Sequence, residues 1–464
     1  MKITFFGAVG TVTGSKYLVE YENTKILIDC GLLQGTRNLT KHNWDSFPVD
    51  PKELDALVLT HAHMDHTGYI PALVKKGFKG KIYCSRATYE LCAILLVDSG
   101  FLQEEQAKRI NYRNRNRSHN HNNHTNNQDS QHPSVLPLYT KQDAEKSLRY
   151  FQAVDYDTPT AINSLQITLI RSGHILGSSF IVVSDGKQKL TFSGDLGRPH
   201  QEILKAPPYL QETDYLVLES TYGNRIHEEQ DSVKKLGEII NETVKKGGLI
   251  IIPAFAVMRT QTILYFLYQL KTNKAIPDIP IFLDSPEAIQ VTNLFCKFQN
   301  EHILSESACN TIFGVATYTP KPEDSKKLDE LQQPAIIVAG SGMADGGRVI
   351  FHLQHFVSDA KNTVVFAGYQ AIGTIGRLLV DGIKEIKIYG QAYPVNAKIT
   401  MLNGISAHAD SNEILEWLSH FQIPPKKVFL THGEPESALA LKKEIEERFK
   451  WSVVIPKYSD SFDL

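Results

Sequence analysis

Residues 54–66, LDALVLTHAHMDH, constrain this chain more than any other stretch. An apolar strand runs to Leu59, and the loop after it carries His61, His63, Asp65 and His66. One histidine in such a place would be an ordinary structural residue. Three imidazoles and a carboxylate packed behind a buried strand repel and desolvate one another, and a divalent cation relieves both costs. Histidine and aspartate are also the ligands zinc takes where one coordination position stays open for water.

Three more positions have the same local grammar. His174 in SGHILGS, Asp195 in FSGDLGR and His432 in LTHGE each follow a short apolar strand and precede a glycine by no more than three residues, which suits a tight strand-end loop. Taken singly, each is as readily an ordinary polar loop residue.

The surrounding pattern predicts α/β architecture in two parts. KITFFG, KYLVEY and TKILIDCG read as a meander over residues 2–31, and a helix is expected from Thr88 to Ile110. ITLIRSGH, SFIVVSDGKQKLTFSG (with a hairpin turn at Asp185-Gly186) and DYLVLES return to strands. After Glu219 the character changes. A helix over 232–246 precedes the near-continuous apolar strands GLIIIPAFAV, IPIFLDSP, PAIIVAGSG and NTVVFAGYQ, with helical TQTILYFLYQL among them. That alternation indicates a mostly parallel sheet covered on both faces. Since the last sixty residues revert to the chemistry of the first third, the second part reads as an insertion. The expected segments are 1–223 and 407–464 for the first domain and 224–406 for the inserted one.

Composition limits the partners. Forty-nine Lys and Arg against 51 Asp and Glu leave a net charge of −2, so a nucleic-acid surface must be local and helped by bound metal. Five dispersed cysteines, at 30, 84, 92, 296 and 309, are expected as reduced, buried thiols of a cytoplasmic protein. No signal-peptide pattern and no run of about 20 apolar residues is present, so a membrane is not expected as partner. Residues 112–132, NYRNRNRSHNHNNHTNNQDSQ, cannot form a core and are expected as a disordered surface loop. Its histidines 119, 121, 124 and 132 are better read as solvated than as ligands, and its arginines 113, 115 and 117 are weak candidates for a nucleic-acid backbone.

The pattern HxHxDH closely resembles the metallo-β-lactamase superfamily. Glu219 in LESTYG, His408 in SAHAD, His432 in THGE, and the stretches PAFAVMRTQ, GSGMADGGR and GYQAIGTIGR resemble its β-CASP group of RNA-processing nucleases, relatives of ribonuclease J and of the cleavage and polyadenylation factor endonuclease. The resemblance covers nearly the whole chain outside the Asn-rich stretch. It implies an αββα sandwich with an inserted α/β domain, and substrate in the cleft between them. It also implies a ligand set: His61, His63 and His174 on one metal, Asp65, His66 and His432 on the second, and Asp195 bridging. Two Zn²⁺ are expected, with Mn²⁺ accepted by the same ligands, and a hydroxide between them as nucleophile. Asp65 joins His408 and Glu219 in the catalytic set, His408 as general acid and Glu219 as its orienter.

In that group, members acting on RNA keep a histidine at the position of His432, which implies single-stranded RNA as substrate, cut to 5′-phosphate and 3′-hydroxyl ends. Backbone and hydroxyl groups of Ser341, Gly342, Met343, Gly373 and Thr374, with Arg259, Arg348 and Arg377, are the candidates for phosphate contacts. Met258 stands where relatives often carry glycine, so substrate fit there is in question. The chain ends soon after the last motif, so oligomerisation through a C-terminal extension is not expected; monomer and homodimer both stay open. The competing readings are a small-molecule ester or thioester hydrolase, an inactive RNA-processing scaffold and a DNA nuclease. Exonucleolytic and endonucleolytic action are both compatible with these residues.

Overall fold

The computed structural model describes residues 1–121, 134–228, 231–368, 370–371 and 373–464. Two seven-stranded sheets stack face to face. The first runs in the order Ser461–Asp463, Lys2–Phe5, Tyr17–Tyr21, Thr24–Ile28, Ala56–Val58, Lys81–Cys84, Phe151–Ala153. The second runs Val453–Val454, Lys427–Thr431, Tyr215–Glu219, Lys189–Phe192, Ser179–Ser184, Leu165–Arg171, Thr160–Ile162. Alternation along the strands turns Ile3, Phe5, Val19, Ile26, Ile28 and Val58 inward against Ile167, Leu169, Ile181, Val183, Phe192 and Val217. The opposite faces carry Leu27, Leu57 and Leu59 on one sheet and Leu216, Leu218 and Leu430 on the other, and helices cover both. The layers are therefore αββα.

A third sheet lies within the segment expected as an insertion. Its six strands run Thr317–Tyr318, Ile281–Asp284, Ile336–Ala339, Ile250–Pro253, Thr363–Phe366, Lys398–Met401, and every pairing is parallel. IIIP, IIVA and TVVF are buried along their whole length because helices lie on both faces. The predicted helices are present as Ser232–Lys245 and Arg259–Thr272. One apolar cluster runs from Leu91 and Leu95 of the first domain through Leu264 and Leu267 to Ile252 of the third sheet, so the inserted unit is seated on a continuous dry contact.

Two expectations fail. The Asn-rich stretch was expected to leave the helix at Ile110, but one helix spans Arg86–His121 without a break. Residues 101–132 contain neither proline nor glycine, so nothing stops propagation once the apolar first turns are anchored. The remainder of that stretch, with His124 and His132, lies outside the described residues. The second failure concerns cysteine. Cys296 and Cys309 form a disulfide between the helices Pro286–Lys297 and Glu306–Phe313, while Cys30, Cys84 and Cys92 are free and buried. Packing those two helices side by side brings the Cα atoms to 5.7 Å, a separation a disulfide can bridge and sequence spacing does not reveal. Two of the five cysteines therefore no longer argue for a reducing compartment. No helix among the described residues is long and apolar enough to cross a membrane.

What brings the HAHMDH turn into place is backbone contact. Ser15 N–H donates to Asp65 O at 2.9 Å, Cys30 N–H to His66 O at 2.7 Å and Gly31 N–H to Ser15 O at 3.0 Å. Lys16 is buried, its ammonium donating to the carbonyls of Gly31 and Gly14, and burial pulls its pKa down to about 8. A Cβ on Gly31 would fall on the carbonyl of Asp65. Gly31→Ala should therefore destabilise the fold by about 1–3 kcal/mol or more, read as a lowered thermal midpoint. Gly346→Ala, where a Cβ meets open space, should leave that midpoint nearly unchanged.

Candidate metal centre

The ligand-type residues gather at one end of the sandwich because they follow strands that end there. His61 and His63 follow Ala56–Val58, His174 follows Leu165–Arg171, Asp195 follows Lys189–Phe192, and His432 follows Lys427–Thr431. Asp65 and His66 sit in the short helix Met64–Thr67. His432 takes φ of 49°, a left-handed backbone that turns its ring back over the strand end.

Two groups of donor atoms result, sharing Asp195. In the first, His61 Nε2 lies 3.0 Å from His63 Nδ1, which is 3.2 Å from His174 Nε2. Asp195 Oδ2 is 3.3 Å from both His61 Nε2 and His174 Nε2. In the second, His66 Nε2 is 3.1 Å from His432 Nε2, which is 3.2 Å from Asp65 Oδ2. The other oxygen of the shared carboxylate, Asp195 Oδ1, is 3.3 Å from His66 Nε2.

These spacings fit metal. A tetrahedral ion with bonds of 2.0–2.1 Å has donor atoms about 3.3 Å apart, and the first group has that edge length on four of its sides. Asp195 Oδ1 is buried and accepts no hydrogen bond among the described residues, a cost that a cation removes.

Protonation agrees with the geometry. Burial, reinforced by neighbouring imidazoles, lowers the pKa of His61 to about 3 and of His63 to about 4, and holds His174 well below its usual value. All three are neutral at pH 7, with lone pairs free to coordinate. Burial also opposes charge on His66, but Asp195, Asp29 and Asp65 outweigh it and hold its pKa well above the usual value. Without a cation the second group therefore keeps a proton on His66.

An outer layer orients the donors. Asp29, fully buried and at φ 58°, accepts from His66 Nδ1 at 2.7 Å and from the Thr60 N–H and hydroxyl at 2.8 and 2.7 Å. Thr60 Oγ1 is 3.0 Å from His61 Nδ1, and Thr221 Oγ1 is 3.1 Å from His432 Nδ1. His174 Nδ1 has no such partner among the described residues. Sequence reasoning missed Asp29, Thr60 and Thr221 because lone polar residues at strand ends are common. The one available sign was the aspartate closing the apolar strand TKILID.

His408 stands beside this cluster. Its Nδ1 is 3.1 Å from both oxygens of Glu219, and its Nε2 is 3.9 Å from Asp195 Oδ2. Glu219 also accepts the Leu196 N–H at 2.6 Å, so the carboxylate is fixed. Burial disfavours the imidazolium, but the charges of Glu219 and Asp195 prevail and lift His408 to about 9. His227, another residue missed in the sequence, donates from its backbone to Asp410 and holds the His408 carbonyl at 3.0 Å through Nε2. Tyr222 sets its ring edge-on to both histidines.

The residues expected to hold phosphate divide. Arg259 is engaged with the carbonyl of Ile405 and lies against Gly368, and burial draws its pKa to about 10. Arg348 pairs with Asp284 at 2.6 Å and donates to the carbonyls of Thr319 and Pro320, the arrangement of a structural ion pair inside the inserted domain. Arg377 Nε donates to both oxygens of Asp381 at 2.9 Å. The Ser341–Met343 and Gly373–Thr374 loops are joined: Gln370 donates to Gly342 O, and Gly376 N–H to Met343 O. Ser341 Oγ accepts from Asp345 N–H, and Thr374 caps the helix Ile375–Val380. Met258 keeps the glycine-type backbone, φ 61°, while its side chain is buried in the apolar core rather than placed in a cleft.

Comparison with known proteins gives three matching family models. Residues 9–236 match the metallo-beta-lactamase superfamily, 260–379 the Beta-Casp domain and 392–456 the Zn-dependent metallo-hydrolase RNA specificity domain. Ribonuclease TTHA0252 of Thermus thermophilus is 34% identical over 96% of this chain and 95% of its own length. Transcription termination factor FttA of Methanocaldococcus jannaschii is 27% identical over 99% of this chain and 71% of its own. A protein of unknown function from Enterococcus faecalis V583, 12% identical, shares the fold with a TM-score of 0.54 over 100% of this chain and 99% of its own.

Two outcomes follow. Titrating zinc into the metal-free protein at pH 7 should release protons, because the His66 proton is held in the absence of metal, and affinity should rise with pH until His66 titrates. Calorimetry in buffers of different ionisation enthalpy reads this. Asp29→Asn should weaken metal binding about 10–100-fold while leaving the fold intact, as measured by competition with a chelating dye.

Proposed function

The chain belongs to the β-CASP group of the metallo-β-lactamase superfamily, and on that premise we propose that it is a metal-dependent ribonuclease hydrolysing phosphodiester bonds of single-stranded RNA to 5′-phosphate and 3′-hydroxyl ends. The observation that carries the reading is His408, held by Glu219 at the rim of the shared carboxylate Asp195. Hydrolysis of a phosphodiester expels an alkoxide, a poor leaving group until it is protonated. A histidine charged at neutral pH and aimed across the cluster supplies that proton, a contribution of about 10²–10⁴-fold. A small-molecule thioester would not need it, since a thiolate leaves unaided. The ribonuclease among the relatives, matched along nearly its whole length, supports RNA as the substrate.

We assign His61, His63 and His174 to one cation, Asp65, His66 and His432 to the other, and Asp195 to both; zinc suits the donors best, and manganese is accepted. Two divalent cations bound there supply charge neutralisation and the activation of water. The protein's own groups do the rest. Glu219 fixes the His408 ring by bonding Nδ1, leaving Nε2 to donate to the 3′-oxygen as it departs. His227 holds the His408 backbone, and Tyr222 limits ring motion. Arg259 at the join of the two domains is the candidate contact to a neighbouring phosphate. Residues 1–223 and 407–464 form the hydrolase frame in this reading, with 224–406 as the inserted lid.

Incubation with end-labelled single-stranded RNA should give chelator-sensitive cleavage that Asp65→Ala abolishes. Metal-loaded protein that leaves RNA intact would move the assignment to another hydrolase activity. His408→Ala should lose about 10²–10⁴ in turnover at unchanged metal content; loss of metal instead would make His408 a ligand. Because the Glu219 charge raises the His408 pKa, the acid form is present below that pKa and lost above it. Bound cations oppose the shift, so the alkaline limb of the rate profile should fall below pH 9, and Glu219→Gln should move it lower still.

A further inference from the structure

We propose that residues 106–115 of the long helix Arg86–His121, together with the hairpin Glu385–Ile388/Gln391–Pro394, form a second contact platform for single-stranded RNA, remote from the metal centre. The inference rests on the RNA reading above and deepens it. The inner end of the helix is tied to the centre: Ser85 and Thr88 hydroxyls donate to Gly177 O at 2.7 and 2.8 Å, in the loop that carries His174. From Thr88 to Tyr112 the helix extends about 36 Å.

Over that distance its chemistry changes. Residues 106–115, QAKRINYRNR, carry four Lys and Arg and no carboxylate, in a chain whose net charge is −2. Glu104 and Glu105, just before this stretch, accept from the Lys141 N–H and pair with Lys108. Helical spacing puts Arg109, Tyr112 and Arg113 on one face, and neither Arg109 nor Arg113 makes an ion pair among the described residues.

That face meets the inserted domain at aromatic groups. The Arg109 guanidinium lies over the Tyr389 ring, 5.6 Å from its centroid, and Phe351 packs 6.1 Å from Tyr389. Tyr112, Tyr389 and Phe351 are nonetheless 68, 50 and 43% exposed. Large aromatic surfaces left partly open beside guanidiniums are the pairing that single-stranded nucleic acid uses, with bases on rings and phosphates on cations. Lys384 and Lys387 add positive charge on the same hairpin, against Glu385.

The distance fixes the test. At about 3.4 Å per stacked nucleotide, roughly ten nucleotides are needed to reach from the metal centre to the platform. Values of kcat/KM are measured for unstructured RNAs of about 5 and about 30 nucleotides across a salt series, with metal-loaded protein and the variants Arg109→Gln/Arg113→Gln and Tyr112→Ala. Wild type should prefer the longer RNA. The double variant should lose about tenfold of that preference, with a salt slope on the longer RNA lower by about 1.4, as two lost single-strand phosphate contacts require. Tyr112→Ala should lose preference with little change in slope. If both RNAs are cleaved and the variants keep the full preference and slope, the platform is overturned and the basic face is left for an acidic protein partner. If wild type cleaves neither RNA, the platform falls together with the RNA reading.

Discussion

Asp195 is buried among five histidines and a second aspartate, and the arrangement of this end of the molecule follows from that. Its two oxygens face different donor groups at 3.3 Å. One oxygen has no hydrogen-bond donor among the described residues. A protein interior does not keep such a group without compensation. Protons on His66 and His408 supply part of it in the absence of metal, and cations held by the two donor groups would supply the rest. The carboxylate is shared, so binding at one group changes the field at the other, and the two sites are expected to fill as a coupled pair rather than independently.

The sandwich provides the precision such a site needs. His61, His63, His174, Asp195 and His432 each follow a strand whose register is fixed by pairing and by an apolar face, so their positions are set by the core and not by the loop alone. Backbone hydrogen bonds from Ser15 to Asp65 and from Cys30 to His66 do the same for the two residues of the cluster that lie in a short helix. The inserted domain shares one apolar cluster with the first, and Arg259 reaches Ile405 in the segment that leads back to His408. A shift of the inserted unit would therefore be felt at His408.

Much of this was legible in the sequence, for reasons that are local. HAHMDH concentrates ligand chemistry in one turn, and the apolar runs before His174, Asp195 and His432 announce strands. The parallel, doubly covered third sheet was visible in strands apolar at every position. What stayed hidden depends on contacts between distant segments. Asp29 matters only because folding sets it 2.7 Å from His66. Arg348 reads as a phosphate contact in the sequence, and its pairing with Asp284, 64 positions away, is visible only in the fold. The Cys296–Cys309 bridge required knowing that two helices pack. The long helix failed differently: low complexity suggested disorder, whereas the absence of proline and glycine decided the outcome.

If two cations share the Asp195 carboxylate, crystallographic anomalous scattering from metal-loaded protein should show two peaks about 3.5–4 Å apart, one within bonding distance of His61, His63 and His174, the other of Asp65, His66 and His432, with Asp195 touching both. A single peak, or two peaks of which only one contacts Asp195, would contradict it.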